Sequence, residues 1–407
     1  MKDEQRKMNK MMKLFKYLQA AALLLAFAAC SDDDEPVTLP EGENIVAQFD
    51  SRLVSRLFLE GYIDDIHHIT PADVAGITKL DLGGSYSDFE DGSALTSLKG
   101  IEYFTALDTL RCRCLLMDTL DLSHNTALRY LNCSGSMLTV LNLSHNTALE
   151  YLDCGFCELI SLDVTHNTAL KYLDCGFYSQ LTSLDLSGNP MLEHLRCNDN
   201  QLASLDVSHN PALKLLDCEK NRLVSLDLSG NPALELLWCG YNQLTELDVS
   251  PNAALLNLSC RDNQLAGLDV SQNRALQRLD CSHNRLTALD VSHNPVLESF
   301  DCNYNQLTDL DVGQNPTLRG LGCSSNRLTT LDVSQNPALE DFTCAGNLLT
   351  SIDVSHNPKL DYFYFINNPG RDDIFKVYLW PGCEQRWTSS WDYEGRTVKV
   401  KYVENGE

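Results

Sequence analysis

From residue 107 onward, apolar side chains recur in one fixed phrase. Leu192, Leu195 and Cys197 are separated by polar residues, and Leu202, Leu205 and Val207 repeat the theme. Written as a pattern, the unit is LxxLxCxxNxLxxLDVSxNPA, 21 residues long. Around Leu195 and Cys197, and again around Leu205 and Val207, apolar and polar positions alternate, which is the period of a half-buried strand. Each coil is predicted to turn the chain back on itself and pair in parallel with the next, ~4.8 Å away. Thirteen stacked strands, counting a last partial one, predict a rod of roughly 60 Å. A single coil cannot bury its own apolar row, but a stack can, and each inward Leu contributes ~1.5–3 kcal/mol once fully buried.

Cysteine marks the period. Cys112, Cys133, Cys154, Cys175, Cys197, Cys218, Cys239, Cys260, Cys281, Cys302, Cys323 and Cys344 are spaced by 21 residues, except for one step of 22 between Cys175 and Cys197. The extra residue falls in Gly176–Gln180, where the chain must bulge. Two asparagine rows close the turns. One is complete, from Asn125 to Asn357. The other runs from Asn200 to Asn347 and ends at Asn368. An inward amide can satisfy backbone groups that a turn leaves without partners. Leu115, Ser136 and Cys157 replace the second row in the early coils, which are therefore expected to be less regular.

The first eleven positions of the unit resemble the consensus strand of leucine-rich repeats. The nested LxxLxL doubling is similar to the short 21-residue class called IRREKO, and the cysteine row is similar to that of internalin-J-type adhesins. The resemblance covers residues 107–368. It implies a repeat solenoid, a stack of parallel strands with a strand-like or irregular convex side, capped at both ends.

The division of the chain follows. Residues 107–359 hold twelve full repeats, and residues 360–407 a last partial repeat and a β cap built from Phe375–Trp380 and Thr397–Val403. Trp387 and Trp391 are expected to pack in that cap, with a separate sugar site as the lesser alternative. Residues 44–106 form an N-terminal cap: apolar residues from Val46 to Phe58 recur near helical spacing, Pro71 is a helix start, and Ile77–Leu82 reads as a degenerate first coil.

Residues 1–29 read as an address. Six Lys or Arg in residues 1–16 precede an apolar run from Leu18 to Ala29, broken only by Gln19. This is the layout of a secretory signal, and the run is short of the ~20 apolar residues of a spanning helix. Phe27-Ala28-Ala29-Cys30 resembles a bacterial lipobox, with Phe27 where Leu is usual. The resemblance implies acylation of Cys30 and a lipid anchor in the outer membrane. The acidic run Asp32–Glu35 is similar to the export tag of lipoproteins that face the cell exterior. Residues 30–43 read as an acidic flexible tether.

Net charge narrows the partners. The chain carries −25, and about −29 without residues 1–29. Such a surface repels nucleic-acid phosphates and anionic headgroups.

No candidate chemistry emerges. Neighbouring ladder cysteines sit at equivalent places on parallel strands, ~4.8 Å apart at Cβ, whereas a disulfide needs ~3.8 Å and convergence. They are expected to be free, packed thiols. Cys114, Cys157 and Cys383 lie off the row, and their pairing stays open. The LDV motif repeats an Asp in nearly every coil, from Asp121 to Asp353, so it marks architecture: an outward carboxylate accepting backbone or Ser hydrogen bonds, with weak calcium binding as the lesser alternative. His124, His145, His166, His209, His293 and His356 fall on solvated turns. There is no nucleophile elbow, P-loop, HExxH or zinc-spaced CxxC pair. The sequence calls for no enzyme, cofactor or metal.

What remains is a surface. The variable strand positions, projected on the presumed concave face, place Tyr130, Tyr151, Tyr172, Phe156 and Phe177 on neighbouring coils, continued by Leu215, Leu236, Trp238 and Tyr241. Contiguous exposed aromatic surface marks partner sites; the competing account is cross-strand stabilisation of the sheet. The expected function is a monomeric cell-surface lipoprotein that binds an extracellular protein. The word adhesion comes from fold analogy alone. A glycan ligand is the alternative, and an accessory enzyme of polymer breakdown is a weaker one.

Overall fold

The computed structural model describes residues 42–84, 94–381, 383 and 390–404. The address segment, Cys30 and most of the tether lie outside the described residues, as does Trp387. No helix among the described residues is long and apolar enough to cross a membrane.

Fourteen parallel strands form one continuous sheet in strict chain order, apart from one strand of the end cap. The degenerate first coil supplies Lys79–Asp81, and the last partial repeat supplies Tyr362–Tyr364. Every solenoid strand is three residues long with a buried middle residue, such as Leu131 between Tyr130 and Asn132. Register is set coil against coil: Tyr130 pairs with Tyr151, and Tyr151 with Tyr172. At the longer step, Tyr172 pairs with His194, so the extra residue never enters the sheet. It is absorbed by Phe177 and Tyr178, both with left-handed backbone (φ 61° and 64°).

Beyond each strand the hydrogen-bonded ladder continues. Cys133 N–H donates to the Asp153 carbonyl (2.8 Å), and Phe156 N–H to that of Gly176 (2.9 Å). The ladder cysteines are fully buried beside the leucines. The Cys154 thiol donates to the Asp174 carbonyl of the next coil (3.4 Å). Burial pushes the thiols up, far from the thiolate range that reactivity requires. Off-row Cys157 is buried too, its thiol donating to the Cys133 carbonyl (3.4 Å).

The two asparagine rows do different work. In the complete row each Nδ2 donates backwards to two carbonyls: Asn146 reaches Leu122 O and Asn125 O, both at 3.0 Å. Its Oδ1 is buried without a hydrogen-bond partner, and this repeats in all twelve coils. In the other row both ends are used: Asn221 donates to Cys197 O (3.0 Å) and accepts from Leu202 N–H (3.0 Å). The early coils depart from this pattern. Ser136 Oγ donates to Cys112 O (3.3 Å) and Ser179 Oγ to Cys157 O (3.2 Å), so a hydroxyl or thiol stands in for the amide donor at three positions, whereas Leu115 brings none; the strand-side backbone ladder continues through them.

Both ends are covered. At the N-terminal side, helix Ser51–Leu59 is capped by Asp50, whose carboxylate accepts from Arg52 and Leu53 N–H, and it buries Leu53, Val54 and Leu57. The residues before Asp50 form a short 3-10 turn, Val46–Gln48, so the helix is shorter than its apolar spacing predicted. Pro71–Ala75 is a second helix, closed by a Thr70–Asp73 capping box. At the other end, Ser351–Asp353, Ile374–Leu379, Arg396–Glu404 and Ser390–Tyr393 form a separate four-stranded sheet, in that spatial order. Trp391 is buried against Phe365 and Phe375, and its indole N–H donates to Asn368 O (3.2 Å), which makes it a packing residue of the cap.

Candidate binding face

The outward residues of each strand flank its buried Leu or Phe, so two outward rows run along the sheet. Tyr130, Tyr151 and Tyr172 occupy one, as their spacing predicted. Their rings stack, with centroids 4.3 Å apart in both pairs and planes within 8° of parallel. The Arg111 guanidinium covers the free face of Tyr130 at 5.0 Å, and His194 leans on Tyr172 at 6.1 Å. The stack is thus closed at both ends, and what it offers a partner is ring edges and phenol hydroxyls rather than ring faces. Desolvation raises the Tyr151 and Tyr172 phenols, keeping them neutral donors.

Phe156 and Phe177 stack on each other at 4.4 Å, but at the left-handed turn beyond the strand (φ 58° and 61°). The row of Asn132, Asp153 and Asp174 lies between them and the tyrosines, so the five rings form two parallel stacks rather than one patch. Leu215 departs from its expected place: it is only 8 % exposed, on the same row as His194 and Leu236 and in register with both. Leu236 and Trp238 are half-buried on one strand. Tyr241, 39 % exposed at another left-handed turn, carries the Arg261 guanidinium over its ring at 4.7 Å.

The sequence reading passed over the acids between these rings. Burial first, then the neighbouring Asp174, pushes Asp153 up to about 6. Burial also pushes Asp217 up to about 6 and raises Asp174 and Asp301. The same position that yields Trp238 yields these residues, so the row was visible; their partial burial was not. Asp217, Glu219, Trp238, Arg261, Arg278, Asp280 and Asp301 line a recess of about 450 Å³.

A larger, shallow trough of about 1180 Å³ runs along the second halves of five coils, past Asp227, Asp248, Asp269, Asp290 and Asp311. Those carboxylates behave as their motif predicts. Asp248 accepts from Ser250 N–H (2.8 Å), Asp290 from Ser292 N–H (2.8 Å), and Asp311 from Gly313 N–H (2.8 Å). The histidines of the next register are exposed, as in His124 and His209.

No protein-family model matches the chain, and no curated protein matches it. Solved structures do. The functional domain of InlJ from Listeria monocytogenes, which includes a cysteine ladder, is 31% identical, with 87% of this chain and 86% of that one covered and a TM-score of 0.63. The leucine-rich-repeat protein LIC12759 of Leptospira interrogans is 24% identical over 75% of this chain and 85% of its own, with a TM-score of 0.63. The internalin inlF of Listeria monocytogenes is 20% identical over 83% and 94%, with a TM-score of 0.66. The last two share the fold. The buried cysteine row, the 21-residue register and the extent of the first match together establish that the chain belongs to the leucine-rich-repeat family, in the cysteine-ladder group that includes the InlJ domain.

Proposed function

We propose that the chain is a binding protein rather than an enzyme: a lipid-anchored, monomeric protein of the outer membrane, facing the cell exterior through acylated Cys30, that captures an extracellular protein on the outward face of its long sheet. The observation that carries this reading is the set of half-buried side chains Tyr130, Tyr151, Tyr172, Leu236 and Trp238, held on strands whose register is fixed coil by coil. Rigid aromatic side chains on a preordered scaffold are the usual anchors of protein interfaces. A protein partner fits the tyrosine stack better than a glycan does, because its ring faces lie against each other and only edges and hydroxyls remain for contact.

Two measurements test the reading. Metabolic labelling with a radiolabelled fatty acid tags the wild-type chain and spares Cys30→Ser; equal labelling of both removes the anchor. Purified protein is then screened against extracellular-matrix proteins and a glycan array, with Tyr151→Ala/Tyr172→Ala beside wild type. Saturable binding to a protein, weakened at least tenfold by the double variant at unchanged fold, is the expected result. Binding to glycans alone, or a partner indifferent to both substitutions, refutes it.

A further inference from the structure

The recess around Trp238 differs from the tyrosine stack in one respect that defines a ligand. Among the described residues no ring stacks on the Trp238 indole and no guanidinium lies over it, whereas the Tyr241 ring is covered by Arg261. The register puts Asp217 on the strand before Trp238 and Ser259 on the strand after, followed on the same row by Asp280 and Asp301. Carboxylates therefore lie on both sides of the indole. Beside it sits Gly240, where an added Cβ would come within 2.9 Å of Glu219 Oε1 and 3.0 Å of Arg261 Cγ, so these two side chains pack close over a residue that has none.

The acids are only partly answered from within. Each uses one oxygen to close its own turn: Asp217 Oδ1 accepts from Glu219 N–H (3.2 Å), Asp280 Oδ1 from Ser282 N–H (3.1 Å) and Asp301 Oδ1 from Asn303 N–H (2.9 Å). Their other oxygens have no hydrogen-bond partner among the described residues. Four carboxylates, of Asp217, Glu219, Asp280 and Asp301, outnumber the two guanidiniums that line the recess, Arg278 and Arg261, and Arg261 also reaches Glu219 (3.8 Å) and the Tyr241 ring. Burial raises Asp217 and Asp301, outweighing the pull of Arg196 on the first and of His283 and Arg261 on the second. An uncovered indole ringed by such carboxylates is the chemistry that holds a cation, combining attraction to the ring face with charge-assisted hydrogen bonds. A chain of net charge −25 also draws cationic partners toward it.

We propose that the Trp238 recess seats a basic side chain, arginine or lysine, presented by the partner protein. The proposal deepens the reading of the strand face as the binding face and rests on it. The test uses the full chain labelled with 15N and follows the Trp238 indole N–H resonance, assigned by its loss in Trp238→Phe. The probes are acetylated and amidated Gly-Arg-Gly, its lysine counterpart, the neutral citrulline counterpart, and a neutral oligosaccharide. The Arg and Lys peptides should move the Trp238 resonance saturably, with a dissociation constant on the order of 1 mM. Asp217→Asn/Asp280→Asn should weaken that binding at least tenfold while leaving the other indole resonances in place, and citrulline should move nothing. An equal response to citrulline, no response to either basic peptide, or a response to the oligosaccharide alone overturns the proposal. Failure of the wider reading looks different: the basic peptides still act on Trp238, but a captured protein partner protects another face from hydrogen exchange.

Discussion

Lys171 Nζ lies 2.8 Å from Glu150 Oε2, reaching back one coil to a carboxylate that also accepts from Arg129. The three residues are consecutive members of one row. The alternation continues with Lys214 to Glu193 (2.7 Å) and reappears where Arg319 pairs with Glu340 (2.8 Å). Along this stretch, charge sign reports coil register, because a slip by one coil would bring like charges opposite each other.

Reversing one member should show it. Lys171→Glu places three acids in succession at positions 150, 171 and 193. Because the side chains are largely exposed, the loss should be modest, about 1 kcal/mol in urea denaturation at low salt, and most of it should disappear at high ionic strength. A loss that ignores salt would mean the row acts through packing rather than charge.

The complete asparagine row should be far less forgiving. Asn231 Nδ2 donates to Val207 O (2.9 Å) and Asn210 O (3.0 Å), both buried within the stack. Asn231→Ala strands two carbonyls and should destabilise by roughly 2–4 kcal/mol. Asn231→Asp keeps the shape but offers no donor when ionised, and should be worse at neutral pH. If the aspartate variant melts with the wild type at pH 7, the direction of these hydrogen bonds is wrong.

The ladder thiols should be silent until the fold opens. Cys112 to Cys344 are buried and held as thiols, so a thiol reagent at pH 8 should label none of the twelve over the lifetime of the native state, and all twelve in denaturant without reductant. Peptide mapping reads the labelled positions. A ladder cysteine that reacts in native buffer, or stays blocked in denaturant, contradicts the packing described here.

Acid should first strengthen the fold and then weaken it. Asp153 and Asp217, pushed up to about 6 by burial, are penalised when ionised in the folded chain. That penalty is complete above pH 6 and is relieved as pH falls toward ~4, the value of an unfolded Asp. The turn carboxylates run the other way. The Ser208 and Ser250 hydroxyls and N–H groups hold Asp206 and Asp248 below the usual range, so their contribution is present above ~4 and lost as pH drops further. Tm should rise by a few degrees from pH 7.5 to 5 and fall by pH 3. Asp153→Asn/Asp217→Asn should flatten the upper limb only; a wild-type Tm that declines steadily from pH 7.5 assigns these acids the wrong sign.

Most of the solenoid was legible because a fixed period turns one local reading into many. The leucine and cysteine row fixed what faces inward, and the single 22-residue step located the bulge to within five residues. Less visible was the left-handed turn two residues after each ladder cysteine. Glycine would have announced it, but only Gly135 and Gly346 do so, while Phe156, Lys220, Tyr241 and His283 adopt the same φ without a sequence signature. That turn separates the phenylalanines from the tyrosines, and so divides what reads as one aromatic strip. Leu215 misled for a related reason: strand alternation places a residue on a face, but its two neighbours along the row decide how much water it meets. The acids beside Trp238 were in plain sight as a row, yet only three-dimensional packing reveals how far they are buried.

The backward-facing amides give the array a sense of direction. Asn125 finds its acceptors in Ile101 O and Phe104 O, supplied by the N-terminal cap, and each later member finds them in the coil already laid down. A chain that folds from its N-terminal end would therefore meet, at every turn, a docking place completed moments earlier. Trimming from the tail leaves every remaining amide served, whereas removing the head orphans the first. Coils appended by gene duplication would fit most readily in the middle or at the tail, because only the founding coil needs a specialised base.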